Sequence, residues 1–189
     1  MTSQLLNLRG LTKSYQAGVR GCSASARVLD SVHLRIDRAE VVAIVGGPAA
    51  GKTTILLCAA GLLTADEGSV DRSGAPEGSP TRAIYFADPI HVRATDDADL
   101  WDLALIDNID RVQGDVARAF ALCSAIRRTR QHGSALLIAA RDAEAVRHIA
   151  DRLIVLERGR VMTSTAGRWP MAPARVAERS SVDRDSRDA

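Results

Sequence analysis

The residues Gly46-Gly-Pro-Ala-Ala-Gly51-Lys52-Thr53 decide how this chain is read. They fit the spacing Gly-x-x-x-x-Gly-Lys-[Ser/Thr], in which a glycine-rich turn points backbone N–H groups inward to cradle phosphates. The context is the one the motif requires. Val41-Val-Ala-Ile-Val45 before it is short and uniformly apolar, as a central strand covered on both faces must be, and Lys52 to Leu63 after it reads as a helix. A helix opening at Lys52 adds the positive end of its dipole, the Lys52 ammonium bridges the outer phosphates, and the Thr53 hydroxyl is offered to Mg²⁺. Pro48 has no N–H and removes one donor from the cradle. The expected nucleotide-contacting residues are therefore Gly46, Gly47, Pro48, Ala49, Ala50, Gly51, Lys52, Thr53 and Thr54.

Composition bounds what surrounds this loop. The chain has 189 residues, 46% apolar and 25% charged, which suits one globular domain with a tail. Its net charge of +2 writes no strong pull toward nucleic acid or an anionic membrane into the totals. Lys13 and Lys52 are the only lysines among 25 basic residues, so a lysine inside the glycine loop stands out. Cys22, Cys58 and Cys123 are odd in number and far apart, which excludes a disulfide framework and a cysteine-based zinc site and points to a reduced, cytoplasmic setting. The longest apolar run, Ile55 to Leu63, is far shorter than the ~20 residues of a membrane-crossing helix, and the first residues lack the pattern of a secretory signal. Any membrane association is expected through a partner, with no direct insertion.

Outward from the loop, Gln4 to Leu8 and Val28 to Ile36 read as strands with a Gly, Ser and Ala-rich loop between them. Arg82 to Phe86 and Leu103 to Ile106 follow as strands, the second running into Asp107. A carboxylate at the C-terminal edge of a buried strand faces the crevice where nucleotides bind, so Asp107 is the expected magnesium carboxylate; Asp102, preceding the apolar run, is a weaker competitor. Asp115 caps a helix whose Val116, Ala119, Phe120, Cys123 and Ile126 recur at helical spacing. Ala135 to Ala139 is a strand, Ala143 to Ala150 a short helix, and Leu153 to Leu156 a last strand turning at Gly159. The expected fold is α/β of the P-loop NTPase type: a mostly parallel sheet with helices on both faces, as the strand–helix alternation implies, and an N-terminal antiparallel β portion. Residues 1–162 form the expected nucleotide-binding domain. Residues 163–189, with five Arg against four acidic residues and no period, read as a disordered tail. His33, His91, His132 and His148 are not spaced as metal ligands.

Several motifs in order resemble the ATP-binding subunits of ABC (ATP-binding cassette) transporters, and more narrowly the branch serving lipoprotein release and macrolide export. They are Leu8-Arg-Gly-Leu-Thr-Lys-Ser-Tyr15, Glu40-Val-Val-Ala-Ile-Val45, the phosphate loop, Ala60-Gly-Leu-Leu-Thr-Ala-Asp-Glu-Gly68 and Asp151-Arg-Leu-Ile-Val-Leu-Glu-Arg-Gly-Arg-Val161. The resemblance implies ATP and Mg²⁺ as ligands, Tyr15 stacked on adenine, Thr53 and Asp107 on the metal, and a membrane permease or second ABC ATPase subunit as partner at the inner face of the membrane.

The departures from that pattern are equally specific. Lys52 and Asp107 stand only 107 − 52 = 55 residues apart, too few for the family's helical subdomain and Ser-Gly-Gly-Gln signature. The gap falls between about 87 and 100, and Ser73-Gly74 is a poor substitute for the signature. Asn108 stands where the family has a general-base Glu, and a carboxamide accepts no proton. Arg141 stands where the family has a His, and Ala87 where it has a Gln. The chain is thus expected to bind Mg·ATP with impaired hydrolysis. Two alternatives remain: a small P-loop kinase with Arg127, Arg128 and Arg130 as a lid over the phosphates, or a non-catalytic accessory subunit stabilised by bound nucleotide.

Overall fold

A computed structural model describes residues 4–19, 22–72, 81–92, 101–112 and 114–166. The chain opens with a long antiparallel pair, β1 (Gln4–Val19) and β2 (Cys22–Asp37), in register from Gln4 opposite Asp37 to Val19 opposite Cys22. The Gly, Ser and Ala-rich stretch expected as a loop is thus strand up to Val19 and again from Cys22. Its residues have modest β propensity of their own, but ladder hydrogen bonds begun at Leu8 and Leu34 carry pairing through them. β4 (Glu67–Asp71) pairs with the other edge of β1, giving a sheet of order β2-β1-β4.

The second sheet has six strands in the order β5-β6-β7-β3-β8-β9. These are β3 (Val41–Val45), β5 (Ala83–Phe86), β6 (Leu103–Ile106), β7 (Ala135–Ala140), β8 (Arg152–Glu157) and β9 (Arg160–Ala166). All neighbours are parallel except β9, which returns antiparallel along β8. β3, β6 and β7 are buried at every position, because helices or the first sheet cover both of their faces. On one face, Leu8, Leu29 and Ile36 of the first sheet meet Ile44, Leu105 and Leu137, together with Ile55 and Leu56 of α1 (Lys52–Ala60). On the other, Leu122 and Ile126 of α2 (Val116–Gln131) pack on Val41, Ala43, Ile106 and Ile138. The expected architecture, mostly parallel with helices on both faces and an antiparallel N-terminal part, is the one observed.

Several local expectations are corrected. α1 stops at Ala60 rather than Leu63, because Gly61 turns left-handed and its N–H donates to the Cys58 carbonyl. Residues 143–150 are not a helix. Asp142 caps a single 3-10 turn, Ala143–Ala145, and Val146, fully buried, leaves helical geometry to enter the core. Asp115 does cap α2, accepting from the Arg118 N–H at 3.0 Å, but Val116 and Phe120 are 85% and 75% exposed, and the buried stripe is Leu122, Ala125, Ile126 and Thr129. Thr163 to Ala166, read from sequence as the start of the tail, are strand because β8 offers them a free edge. Residues 167–189, Ser73-Gly74 and most of the gap proposed near 87–100 lie outside the described residues.

Parallel register sets the position of the site. Val45 lies opposite Ala140 and Val155, and Ile106 opposite both Ile138 and Phe86, so Gly46, Asp107, Ala87 and Arg141 all follow strands at one edge of the sheet. Such a carboxyl edge is where open α/β sheets bind ligands.

Candidate functional site

The loop leaves β3 at Gly46, whose N–H donates to the Ala140 carbonyl of β7 at 3.3 Å. It passes through Ala49 at φ +59 and Gly51 at φ +104, then enters α1 at Lys52. Lys52 is turned back over its own loop: Nζ donates to the Gly46 and Gly47 carbonyls at 2.6 and 2.8 Å. Burial pushes its ammonium below the ordinary lysine range, and the nearby Arg141 charge adds to that, while Asp107 and Asp110 oppose it. An anion at the loop would offset the same burial cost.

Asp107 is 2% exposed and accepts three hydrogen bonds from the described residues. Thr53 Oγ1 donates to Oδ2 at 2.6 Å, Tyr85 OH donates to the same oxygen at 3.3 Å, and the Asn108 N–H donates to Oδ1 at 2.8 Å. The first of these joins the start of α1 to the end of β6, bringing together the two residues read from sequence as magnesium ligands. Tyr85 was not singled out by sequence reasoning; the signal was a polar-tipped aromatic on the strand beside Asp107. Burial first, and the Asp107 carboxylate second, push the Tyr85 phenol up to about 12, so it stays a donor.

The other expected residues occupy the same edge with differing orientations. Tyr15 is 42% exposed and lines, with Val28 and residues 49–54, one cavity of about 270 Å³. Lys13 Nζ lies 6.0 Å from its ring centroid and is held there by Asp66 at 2.7 Å. Asn108 sits at φ +53, and its carboxamide donates to the Ala87 carbonyl at 3.2 Å, which occupies it away from the loop. The Arg141 N–H donates to both oxygens of Asp110, at 3.0 and 2.8 Å, pinning the end of β7. Asp102 is elsewhere: at the start of β6 it accepts from the Arg82 N–H at 2.9 Å. Arg127, Arg128 and Arg130 also lie away from the loop. α2 ends beside Gly133, whose carbonyl accepts from Ala39 just ahead of β3, so these arginines stand at the opposite end of the sheet and form no lid over the phosphates. The kinase alternative loses its structural basis.

A second support was invisible in the sequence. The Gly159 N–H, in the β8–β9 turn, donates to the Ala50 carbonyl at 3.0 Å, and the Gly159 carbonyl accepts from the Asp30 N–H at 3.0 Å. Arg160 clasps the Asp30 carboxylate beside it.

The family model described as ABC transporter matches residues 29–131, more than half of the chain. The chain belongs to the ABC transporter family. The lipoprotein-releasing system ATP-binding protein LolD of Roseobacter denitrificans is 40% identical to it over 96 residues, 51% of this chain and 39% of that protein. The aliphatic sulfonates import ATP-binding protein SsuB 1 of Nocardia farcinica is 29% identical over 213 residues, covering 88% of this chain and 85% of that protein. The chain thus spans well under half of LolD but most of SsuB 1. A solved ATP-binding cassette of an ABC transporter, in its ADP conformation, superposes with a TM-score of 0.69 at 13% identity, covering 88% of this chain and 92% of that one. That likeness shows the fold. Within the ABC family this chain is ATPase-like, and its loop, strand and helix stand in the order that nucleotide binding requires.

Proposed function

We propose that this ABC-type chain binds Mg·ATP in the loop of residues 46–54 and hydrolyses it slowly. The observation that carries the reading is the Lys52 ammonium, folded onto the Gly46 and Gly47 carbonyls within the field of Asp107, which also accepts from Thr53. An incoming triphosphate exchanges those carbonyls for phosphate oxygens, while the amides of the loop and of the first turn of α1 receive the remaining charge. Tyr15, on the wall of the same cavity, stacks on the adenine.

Mg²⁺ fits the donors present. The Thr53 hydroxyl and the Asp107 carboxylate are hard oxygens already 2.6 Å apart, and a small octahedral cation that keeps several waters needs few protein ligands. When bound, it neutralises charge on the phosphates. Arg141, fixed at its backbone by Asp110, supplies a permanent positive charge at the place of the family's His, but it does not titrate near neutrality. Asn108, engaged with Ala87, accepts no proton from an attacking water, and loss of a general base costs roughly 10² to 10⁴ in rate.

We infer further that the chain belongs to the lipoprotein-release and macrolide-export branch, shortened by loss of the helical subdomain and signature. It works on the cytoplasmic face beside a membrane permease or a second ABC ATPase subunit. Among the described residues no helix is long and apolar enough to cross a membrane. Asn108 also favours a second reading, a subunit that holds nucleotide without turning it over.

Calorimetric titration of the full chain with ATP, with and without Mg²⁺, tests the proposal against Lys52→Ala. Magnesium-dependent binding that the substitution abolishes is expected; no heat from folded protein at saturating ATP overturns it. Brisk phosphate release by the chain alone would overturn the slow-hydrolysis part.

A further inference from the structure

A second cavity lies at the other end of the sheet. It has a volume of about 650 Å³ and opens between the C-terminal half of α2 and residues 148–149. Val41, where β3 begins, lines it, whereas the phosphate loop leaves β3 after Val45; four strand residues separate the two by about 13 Å. Its walls are fixed. The Ala39 N–H donates to the Gly133 carbonyl at 3.2 Å, and the Val41 N–H donates to Asp151 Oδ2 at 2.9 Å.

The chemistry of the lining is two-sided. Val41 and Ile126 are buried, and with Ile149 they make an apolar floor. Arg127, Arg130 and His148 stand on the rim. Asp151 is the carboxylate beside them, and it is shared: Oδ1 accepts from Arg130 Nη1 at 2.9 Å while Oδ2 holds the Val41 N–H. Arg127 has no carboxylate partner among the described residues. Among the described residues, one carboxylate against two guanidinium groups leaves the rim positive over an apolar pit of a size that accepts small organic ligands.

We propose that this cavity binds a small aliphatic carboxylate, its chain on Val41, Ile126 and Ile149 and its headgroup against Arg127 and Arg130. Arg127 is the anion-seeking group, since Arg130 is already engaged. The site is independent of the phosphate loop, so its fate and that of the nucleotide site are read separately.

The lining also carries its own reporter, Cys123, half-buried with its thiol pushed up by burial, while Cys58 is buried in the other core. Decanoate is the probe, and the readout is the alkylation rate of each cysteine resolved by peptide mass spectrometry on the full chain. Saturating decanoate is expected to slow Cys123 severalfold and leave Cys58 unlabelled; acetate, without the chain, and decanol, without the charge, are expected to have little effect. Arg127→Glu should weaken decanoate binding by about tenfold or more, since it replaces a charge-assisted contact with repulsion. Lys52→Ala should leave that binding unchanged while abolishing binding of ATP. The proposal is overturned if decanoate leaves Cys123 unprotected, if decanol protects as well as decanoate, if Arg127→Glu binds normally, or if Cys58 becomes reactive, which would mark unfolding by the amphiphile.

Discussion

Gly159 holds Ala50. The amide in the β8–β9 turn donates to the carbonyl one residue before Gly51, at 3.0 Å, so a turn near the end of the described chain fixes the curvature of the phosphate loop near its start. The same glycine accepts from the Asp30 N–H, and loop, turn and β2 become one unit.

Gly159→Ala should break this unit. The residue sits at φ +77, and an added Cβ would overlap the Val28 carbonyl. A loss of about 1–3 kcal/mol is expected from strain at a left-handed position, with weaker ATP binding than the loss of stability alone would produce. Thermal melts with and without Mg·ATP check it; an unchanged ligand-induced shift would mean that the turn does not position the loop.

Two neighbouring glycines should respond differently. A Cβ on Gly46 would run into the Leu156 carbonyl, while one on Gly47 meets nothing within 4 Å. Gly46→Ala is therefore expected to destabilise by about 2 kcal/mol or more, and Gly47→Ala by well under 1 kcal/mol. Equal denaturation midpoints for the two variants would refute the loop geometry.

Asp107→Asn tests the shared carboxylate. The amide oxygen can keep the bonds from Thr53 and Tyr85, which share one carboxylate oxygen, but the N–H₂ then stands against the Asn108 amide in place of its acceptor, so about 1–3 kcal/mol of stability is lost. The expected signature is a loss of the magnesium dependence of ATP binding greater than the loss of binding without the metal. Calorimetry at matched ATP with and without Mg²⁺ measures the difference.

Alkaline titration should separate Tyr85 from Lys52. The folded Tyr85 phenol is raised from 10.0 to about 12, so its contribution is fully present below pH 10 and is lost as pH climbs toward 12. Lys52 has the opposite sign: burial lowers its folded value below 10.5, so the unfolded chain holds the proton longer and stability from this group rises as pH approaches 10.5. In Tyr85→Phe the downward slope above pH 10 should become shallower in denaturation curves, and phenolate absorbance should lose its late-titrating component. A late component that persists in the variant would assign the shift to another group.

The fold was largely legible in the sequence because its signals are local. Val41 to Val45 is apolar throughout, Ala135 to Ala140 likewise, and Asp115 stands where a helix needs a cap. The errors came where neighbours outvoted local preference. Residues 17–19 and 22–24 look like loop but extend a ladder already begun, and Thr163 to Ala166 look like tail but meet the open edge of β8. α2 illustrates the limit of periodicity: of the expected stripe the fold buries Ile126 but leaves Val116 and Phe120 exposed, and Leu122 and Ala125 join Ile126 in the core.

The linear sequence alone determined the phosphate-loop spacing, the strand before it, the helix after it, and the carboxamide at position 108. All of these depend on side-chain type and on steps of a few residues along one backbone. Only the tertiary structure decided which distant groups complete them. Tyr85 reaches Asp107, Asp110 reaches the Arg141 amide, Gly159 reaches Ala50, and Arg127 and Arg130 fall at the far end of the sheet. Those relations follow from strand order and register, which long-range packing selects and no short window of residues encodes.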